Sequence, residues 1–229
     1  MRNFLWALYK GSPAVKRSAW KLYQWSIRLQ SRHNSPYITH VPILAALSSL
    51  VEPRRITEFG AGDYSTGLFL NRSVFPHLES LISLENDAAW YERIRENFGA
   101  DGRLDLREIE GNLSNVVSGE LLVADLVFID DSDHAIRQLT IAAVGKAAPS
   151  GLPVVVHDAE YVRTRMAIRR AFDHYFVFNA FHPQTALAWN GDLQFKHRLP
   201  GIARRISDAS SRISPWDGET WRALSVNLP

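Results

Sequence analysis

Carboxylates and histidines gather where two apolar segments of the chain end. They are Asp130, Asp131, Asp133 and His134 after the first segment, and His157 and Asp158 after the second. A histidine with an ordinary pKa of about 6.5 is mostly neutral at pH 7 and can accept a proton, and a neighbouring carboxylate can orient its ring. We therefore predict a site for proton removal, in which His134 is the base and Asp130 and Asp158 hold the substrate.

Some of these residues have structural alternatives. An acid at the start of a helix stabilises its N-terminus, and this role is favoured for Asp133 and Glu160, beside the predicted helices 135–148 and 160–173. His157 lies within a predicted strand, where alternation turns it away from the crevice if Asp158 faces inward. The sequence therefore assigns proton transfer to His134 and not to His157.

A glycine-containing turn follows the first predicted strand. Gly60 and Gly62 allow a tight turn and a close approach of the backbone to a ligand, although two glycines alone are equally typical of a plain strand-to-helix turn. The third glycine of the dinucleotide fingerprint is absent, and Ser65 stands in its place. Glu58 favours a ligand, because an acid near the end of a central strand is costly unless it is paired or meets one. The alternative for Glu58 is a hydrogen bond from a neighbouring backbone N–H.

Glu85 ends the second predicted strand. An acid at this position can accept hydrogen bonds from both hydroxyls of a ribose, so it indicates an adenosine ligand without saying which one. The alternative is that Glu85 caps the following helix together with Asp87.

Short apolar runs that alternate with helical stretches predict βαβ units and a parallel sheet. The predicted strands are 55–59, 81–84, 104–109, 122–129 and 153–157, and the predicted helices are 38–51, 65–70, 88–98, 114–118, 135–148 and 160–173. Strands 175–181 and 185–189 follow so closely that they are expected to be antiparallel. The fold class predicted is α/β: a Rossmann-like, mainly parallel seven-stranded sheet with a terminal antiparallel β-hairpin and helices on both faces.

The organisation along the chain is predicted in three parts. Residues 1–37 form a helical extension that serves as a lid, residues 38–190 form the ligand-binding domain, and residues 191–229 form a tail packed on it. The first 50 residues contain seven basic and no acidic side chains, with aromatic residues among them. An alternative role for this segment is peripheral contact with a membrane or a partner.

The amino-acid composition excludes some classes of site and indicates against others. The net charge of +2 is too small to indicate nucleic-acid binding, and the absence of cysteine excludes disulfides and zinc–thiolate sites. The sequence has no apolar run of the roughly 18 residues that a membrane span requires. We predict a cytoplasmic protein without a transmembrane segment.

Taken together, the motifs over residues 38–190 resemble the class I S-adenosylmethionine (SAM)-dependent methyltransferases. Glu58, Gly60 and Gly62 match the acid-x-Gly-x-Gly motif, and the run from Ile129 to His134 is similar to the Ile-Asp-Gly-Asp-His pattern of bacterial small-molecule methyltransferases. This chain has one extra residue there, so either Asp130 or Asp131 is the equivalent acid.

The resemblance implies SAM as the cofactor and methyl transfer to a hydroxyl, less readily an amine, of a small molecule such as a sugar or secondary metabolite. It implies that the cofactor contacts Glu58, Gly60, Ala61, Gly62, Tyr64, Ser65, Glu85, Glu110 and Asp130, with Asp63 also lining the loop and Glu108 an alternative to Glu110. Catechol O-methyltransferase-like enzymes bind magnesium through an Asp after the fourth strand and an Asp-Asn pair after the fifth. Here Ala159 follows Asp158, so one ligand is missing and no metal is predicted.

Two other functions stay open from the sequence. A nicotinamide-dependent oxidoreductase would use the same ribose acid, although the missing third glycine, Glu58 and the terminal hairpin count against it. A non-catalytic module could keep the fold and bind a membrane or partner through its basic N-terminus.

Overall fold

The computed structural model describes residues 38–131, 134–215 and 217–226. The predicted N-terminal extension and Asp133 lie outside these residues. Among the residues described, no helix has the length and apolar character needed to cross a membrane.

A single seven-stranded sheet organises the chain, with strand order β3-β2-β1-β4-β5-β7-β6. The strands are β1 (Arg55–Phe59), β2 (Ser80–Glu85), β3 (Leu104–Glu108), β4 (Leu126–Ile129), β5 (Val154–Val156), β6 (His174–Phe178) and β7 (Thr185–Trp189). The first five strands pair in parallel, whereas β7 is antiparallel to both β5 and β6. The predicted fold class is confirmed, including the terminal hairpin.

The helices in chain order are α1 (Val41–Val51), α2 (Ser65–Leu70), α3 (Ala88–Phe98), α4 (His134–Ala147), α5 (Val162–Ala171), α6 (Leu199–Ala209) and α7 (Gly218–Val226). Local signals explain several boundaries. Pro42 lies in the first turn of α1, and Glu52 ends that helix in a left-handed conformation. Asp87 caps α3 by accepting hydrogen bonds from the N–H groups of Ala89 and Trp90.

Several predicted elements differ from the structure by one to three residues at an end, and two differ more. The strand predicted over 122–129 begins only at Leu126, because Leu122 and Val123 donate to carbonyls three residues earlier and so belong to turns. The helix predicted over 114–118 is a single 3₁₀ turn, Leu113–Val116. In both places a short apolar run does not distinguish a strand or helix from a buried turn.

Side chains alternate across the sheet and build an apolar core on each face. Leu126 and Phe128 of β4 point to the face covered by α1, α2, α6 and α7, while Val127 and Ile129 point to the other face. Trp221 of α7 is fully buried in the first core, where its ring lies 5.9 Å from that of Phe181. Helices that follow the last strand therefore complete one face of the sheet, while the domain boundaries at residues 37 and 190 stay predictions.

The chain reverses its direction across the sheet between β1 and β4, which are neighbours. In open α/β sheets, ligands bind in the crevice outside the carboxyl ends of the strands at such a switch point. The residues predicted to do chemistry all follow these strands or their neighbours, so the fold brings them to one edge.

Candidate functional site

Gly60 is required by the sheet itself. Its φ of +90° is left-handed, and a Cβ at this position would lie 2.7 Å from the carbonyl carbon of Asp130. Its N–H donates to the carbonyl of Leu84 at 2.9 Å. Gly60 therefore lets the turn after β1 pass directly against the end of β4.

Gly62 is under a weaker local constraint. A Cβ there would meet only the Ser65 hydroxyl, at 2.9 Å. Its N–H donates to Oγ1 of Thr66 at 3.1 Å. A side chain at position 62 would thus enter the space beside the turn more readily than it would disturb the sheet.

Helix α3 braces the outside of this turn. The indole N–H of Trp90 donates to the carbonyl of Ala61, and Arg93 forms an ion pair with Asp63. The Arg93 guanidinium also lies 4.1 Å from the centre of the Trp90 ring. Asp63, which was expected to line the cofactor loop, points to α3 instead.

Glu58 is fully buried beneath the turn. Its Oε2 accepts hydrogen bonds from the hydroxyls of Ser83 and Thr66, the latter at 2.7 Å, and not from a backbone N–H. Oε1 is buried without a hydrogen-bond partner. Burial raises the pKa of Glu58 to about 7 against the opposing effect of the neighbouring hydroxyls.

Glu85 shapes the corresponding turn after β2. Its Oε1 accepts from the N–H groups of Asn86 and Asp87, both at 2.8 Å. Burial raises the pKa of Glu85 to about 7. Asp87 alone caps α3, so the joint capping role considered for Glu85 is wrong.

The two acids after β4 separate into different environments. Asp131 is buried against α4, where its Oδ2 accepts from Thr140 at 2.6 Å, and burial raises its pKa to about 6. Asp130 keeps 23% of its side chain exposed, with Oδ1 3.2 Å from Nδ1 of His157. Asp130 is therefore the acid that faces the crevice.

Arg137 is the centre of the cluster and was missed by the sequence analysis. It is 3% exposed. Its guanidinium lies 2.6 Å from Oδ2 of Asp158 and 2.9 Å from Oδ1 of Asp130, and Nη2 donates to the Asp131 carbonyl at 2.6 Å. The sequence gives one indication of this role: Arg137 lies about one turn into a predicted helix, and several acids precede that helix.

Arg137 affects whether the magnesium site of the catechol O-methyltransferase-like pattern can form in this chain. The two acids at that pattern's positions, Asp130 and Asp158, already hold one guanidinium, and Ala159 offers no ligand atom. These residues do not fit a carboxylate-held magnesium ion.

His157 is buried, with 4% exposed, and lies beside Asp130 after the end of β5. Asp158, with φ +58°, leaves the extended conformation just after β5 ends. Strand alternation therefore stops there, and both residues lie beside Asp130: His157 Nδ1 is 3.7 Å from Oδ1 of Asp158. Burial opposes protonation of His157, but the Asp130 carboxylate outweighs it, and the pKa of His157 lies above its ordinary value.

The remaining predicted residues lie nearer the surface. His134 begins α4, with 44% of its side chain exposed and Nδ1 3.8 Å from Oδ2 of Asp158, and its ring lies 4.1 Å from that of Tyr161. Glu110 is exposed beyond the end of β3, and its neighbours Ile109 and Gly111 are hydrogen-bonded to Glu85 and Asn86 after β2. Glu160 does not cap α5, since its Oε2 accepts from the N–H of Gln184 at 2.8 Å.

No family model matches the sequence, and no curated protein matches it significantly. Among solved structures, the chain is similar to an O-methyltransferase family protein from Burkholderia thailandensis, with 14% identity and a TM-score of 0.50 over 80% of this chain and 61% of that one. It is also similar to the O-methyltransferase TomG from Streptomyces achromogenes in complex with SAM (19%, TM-score 0.48, 67% and 80%) and to the N-methyltransferase NodS from Bradyrhizobium japonicum (13%, 0.48, 68% and 94%). The Burkholderia protein shares the fold with this chain.

Proposed function

We propose that this protein binds SAM and transfers its methyl group to a hydroxyl of a small molecule. The observation that carries the proposal is the pair of buried acids, Glu58 and Glu85, on either side of the glycine turn at the switch point. An O-methyltransferase family protein has the same fold. The glycine and acid motifs resemble those of the same enzyme class.

The two acids suit the two ends of this cofactor. SAM carries an ammonium group and a sulfonium, both cationic, and the unpartnered Oε1 of Glu58 offers an acceptor next to the turn. Oε1 of Glu85 accepts hydrogen bonds from the backbone N–H groups of the next two residues, so Oε2 is available for the ribose hydroxyls. The turn residues Gly60, Ala61, Gly62, Tyr64 and Ser65 then line the methionyl part, and Glu110 contacts the adenine.

The chemistry required of the protein is alignment and proton removal. SAM supplies an electrophilic methyl group when bound. His134, whose Nδ1 lies 3.8 Å from Oδ2 of Asp158, takes the proton from the acceptor hydroxyl as its oxygen attacks the methyl carbon. Asp130, facing the same crevice, holds the acceptor.

An amine acceptor is the second candidate for the methyl group. A free amine is already nucleophilic and needs less help from a base, whereas a hydroxyl does need one. The exposed imidazole of His134 beside Asp158 therefore favours oxygen.

Isothermal titration calorimetry with S-adenosylhomocysteine (SAH) and, separately, NAD tests the proposal. We expect SAH to bind and NAD not to bind. Glu85→Ala should weaken SAH binding by about 2–4 kcal/mol, because two charge-assisted hydrogen bonds to the ribose are lost. Glu79→Ala, which removes an exposed acid before the same strand, is the control.

Unchanged SAH affinity in a folded Glu85→Ala variant would remove the ribose assignment. Binding of NAD in preference to SAH would replace methyl transfer with hydride transfer as the function.

A further inference from the structure

Three side chains from separate parts of the chain converge beside the crevice. His40 precedes α1, Asp130 follows β4 and His157 follows β5. One ligand atom from each lies within 4.8 Å of the other two. Only Asp130 is partly exposed, while both histidines are buried.

His40 is the unexplained member of this group. It is 2% exposed, and neither of its ring nitrogens has a hydrogen-bond partner. Its ring packs 5.1 Å from that of Phe128 and 4.8 Å from that of His157. Buried polar atoms are almost always satisfied, so two unpaired nitrogens on one buried ring indicate a missing partner.

The hydrogen bonds of Thr39 fix the orientation of His157. The Thr39 hydroxyl donates its one proton to the carbonyl of Pro183 at 2.8 Å, so its oxygen can only accept from His157. Nε2 of His157, 2.9 Å from that oxygen, therefore carries a hydrogen. Metal-binding histidines are oriented in this way, by donating the N–H that is not used for the metal.

The other nitrogen, Nδ1, then faces Oδ1 of Asp130 at 3.2 Å. A neutral Nδ1 and a carboxylate oxygen are both acceptors, so at this distance a proton or a metal ion must lie between them. A proton on Nδ1 would satisfy His157 and Asp130 but leave both nitrogens of His40 unpaired. A metal ion would bind one nitrogen of each histidine and an oxygen of Asp130, leaving only the second nitrogen of His40, as N–H, without a partner.

We propose that His40, Asp130 and His157 bind a divalent transition-metal ion of the Zn²⁺ type. Two imidazole nitrogens and one carboxylate suit such an ion and do not suit Mg²⁺, which prefers oxygen ligands throughout. The balance of charge at this edge also favours a cation. Three carboxylates, those of Asp130, Asp131 and Asp158, face the guanidinium of Arg137. Arg137 engages Oδ1 of Asp130, and the proposed ion binds the same carboxylate.

Three protein ligands leave coordination positions open, and Asp130 opens the site toward the crevice. A water or the acceptor oxygen would occupy such a position. This site differs in its ligands from the carboxylate-held magnesium pattern that Arg137 and Ala159 disfavour.

The test is metal binding by the full chain, with no need for an acceptor. Protein stripped with a chelator is titrated with Zn²⁺ by calorimetry and with Co²⁺ by visible absorption. We expect a single saturable ion per chain, a cobalt spectrum typical of nitrogen and oxygen ligands, and no competition from millimolar Mg²⁺. His40→Gln should weaken binding by more than about 100-fold.

Two other histidines serve as matched controls. His77→Gln removes an exposed imidazole, and His134→Ala removes the one beside Asp158; neither should change the affinity. If His40→Gln does not fold, the ¹⁵N chemical shifts of the ring nitrogens in wild-type protein with and without Zn²⁺ give the answer, because bound nitrogens of His40 and His157 must shift.

Absence of saturable Zn²⁺ or Co²⁺ binding, or equal binding by His40→Gln, would overturn the site. So would tighter binding of Mg²⁺ than of Zn²⁺. SAH titration of the metal-free protein separates this inference from the proposed function, since SAH binding without any metal binding would reject the metal site alone.

Discussion

Acids at the two halves of the crevice are held by different kinds of partner. At the ends of β1 and β2, Glu58 and Glu85 accept hydrogen bonds from neutral hydroxyl and N–H groups, and burial raises the pKa of each to about 7. At the ends of β4 and β5, burial would raise the pKa of Asp130, but the neighbouring His157 and Arg137 hold it below its usual range. The first half therefore lacks a positive charge that a cationic cofactor would supply, whereas the second half carries its own.

The half with neutral partners is open to a cationic ligand, whereas the half with its own cation is preorganised. An acid with neutral partners gains most when a cation arrives. An acid with a fixed guanidinium is preorganised and keeps its position whether or not a ligand is present. Mutations in each half test this difference.

Arg137→Met should have the largest effect. Removing the guanidinium leaves Asp130 and Asp158 close together without their cation, and breaking a buried ion pair of this kind costs about 3–5 kcal/mol. Urea unfolding measures the loss, with Arg163→Met on the exposed side of α5 as the control. A loss below about 1 kcal/mol would mean that the second half does not depend on its internal cation.

Glu58 should make stability depend on pH in the opposite way to a salt-bridged acid. Its pKa is about 7 in the folded protein and 4.5 ordinarily, so the folded state retains a proton that the unfolded state has lost. The free energy of unfolding should therefore fall as pH rises from about 4.5 to about 7, by up to about 3 kcal/mol from this residue.

Unfolding curves at several pH values, compared with Glu58→Gln, isolate this contribution, because glutamine does not titrate. If the difference between the two proteins is independent of pH, the pKa of Glu58 is the same in the folded and unfolded states.

Two glycine substitutions separate the fold from the ligand within the first half. Gly60→Ala should lower the free energy of unfolding by more than about 1 kcal/mol, because of its positive φ and the contact with Asp130. Gly62→Val should leave stability closer to wild type and abolish detectable SAH binding. Thermal unfolding and SAH calorimetry on both variants check this, and normal SAH binding by Gly62→Val would show that the turn is not the cofactor site.

Removal of residues 1–35 should have the smallest effect on SAH affinity, which is expected to stay near the wild-type value. The resemblance to methyltransferases begins near residue 38, and the preceding segment is predicted to cover the acceptor. Turnover should fall once an acceptor is known. Loss of SAH binding by a truncated protein that still folds would place this segment at the cofactor instead.

Local sequence patterns predicted the strand and helices that carry the proposed cofactor-binding residues. Strand 55–59 and helices 65–70 and 88–98 match the structure residue for residue, because apolar periodicity and the cap at Asp87 are short-range signals. The acid and glycine positions at the ends of β1 and β2 followed directly from those boundaries.

The second half depends on contacts that no local pattern contains. Arg137 is buried because acids from two distant strand ends meet it, and its own helix segment is typical of a surface. Asp158 leaves the strand alternation and lies beside His157 because it adopts a left-handed conformation. His40 joins them from a segment that carries no catalytic motif.

The buried position of Trp221 has a consequence for the order in which this protein can fold. Helix α7 follows every strand in the chain, yet its tryptophan completes the apolar core that α1 begins. A nascent chain on the ribosome would expose the apolar side of α1 until α7 had been synthesised, because domains fold as units during translation. Fluorescence of Trp221 should therefore report the final closure of the domain, and chains released before residue 218 are expected to aggregate or to bind chaperones.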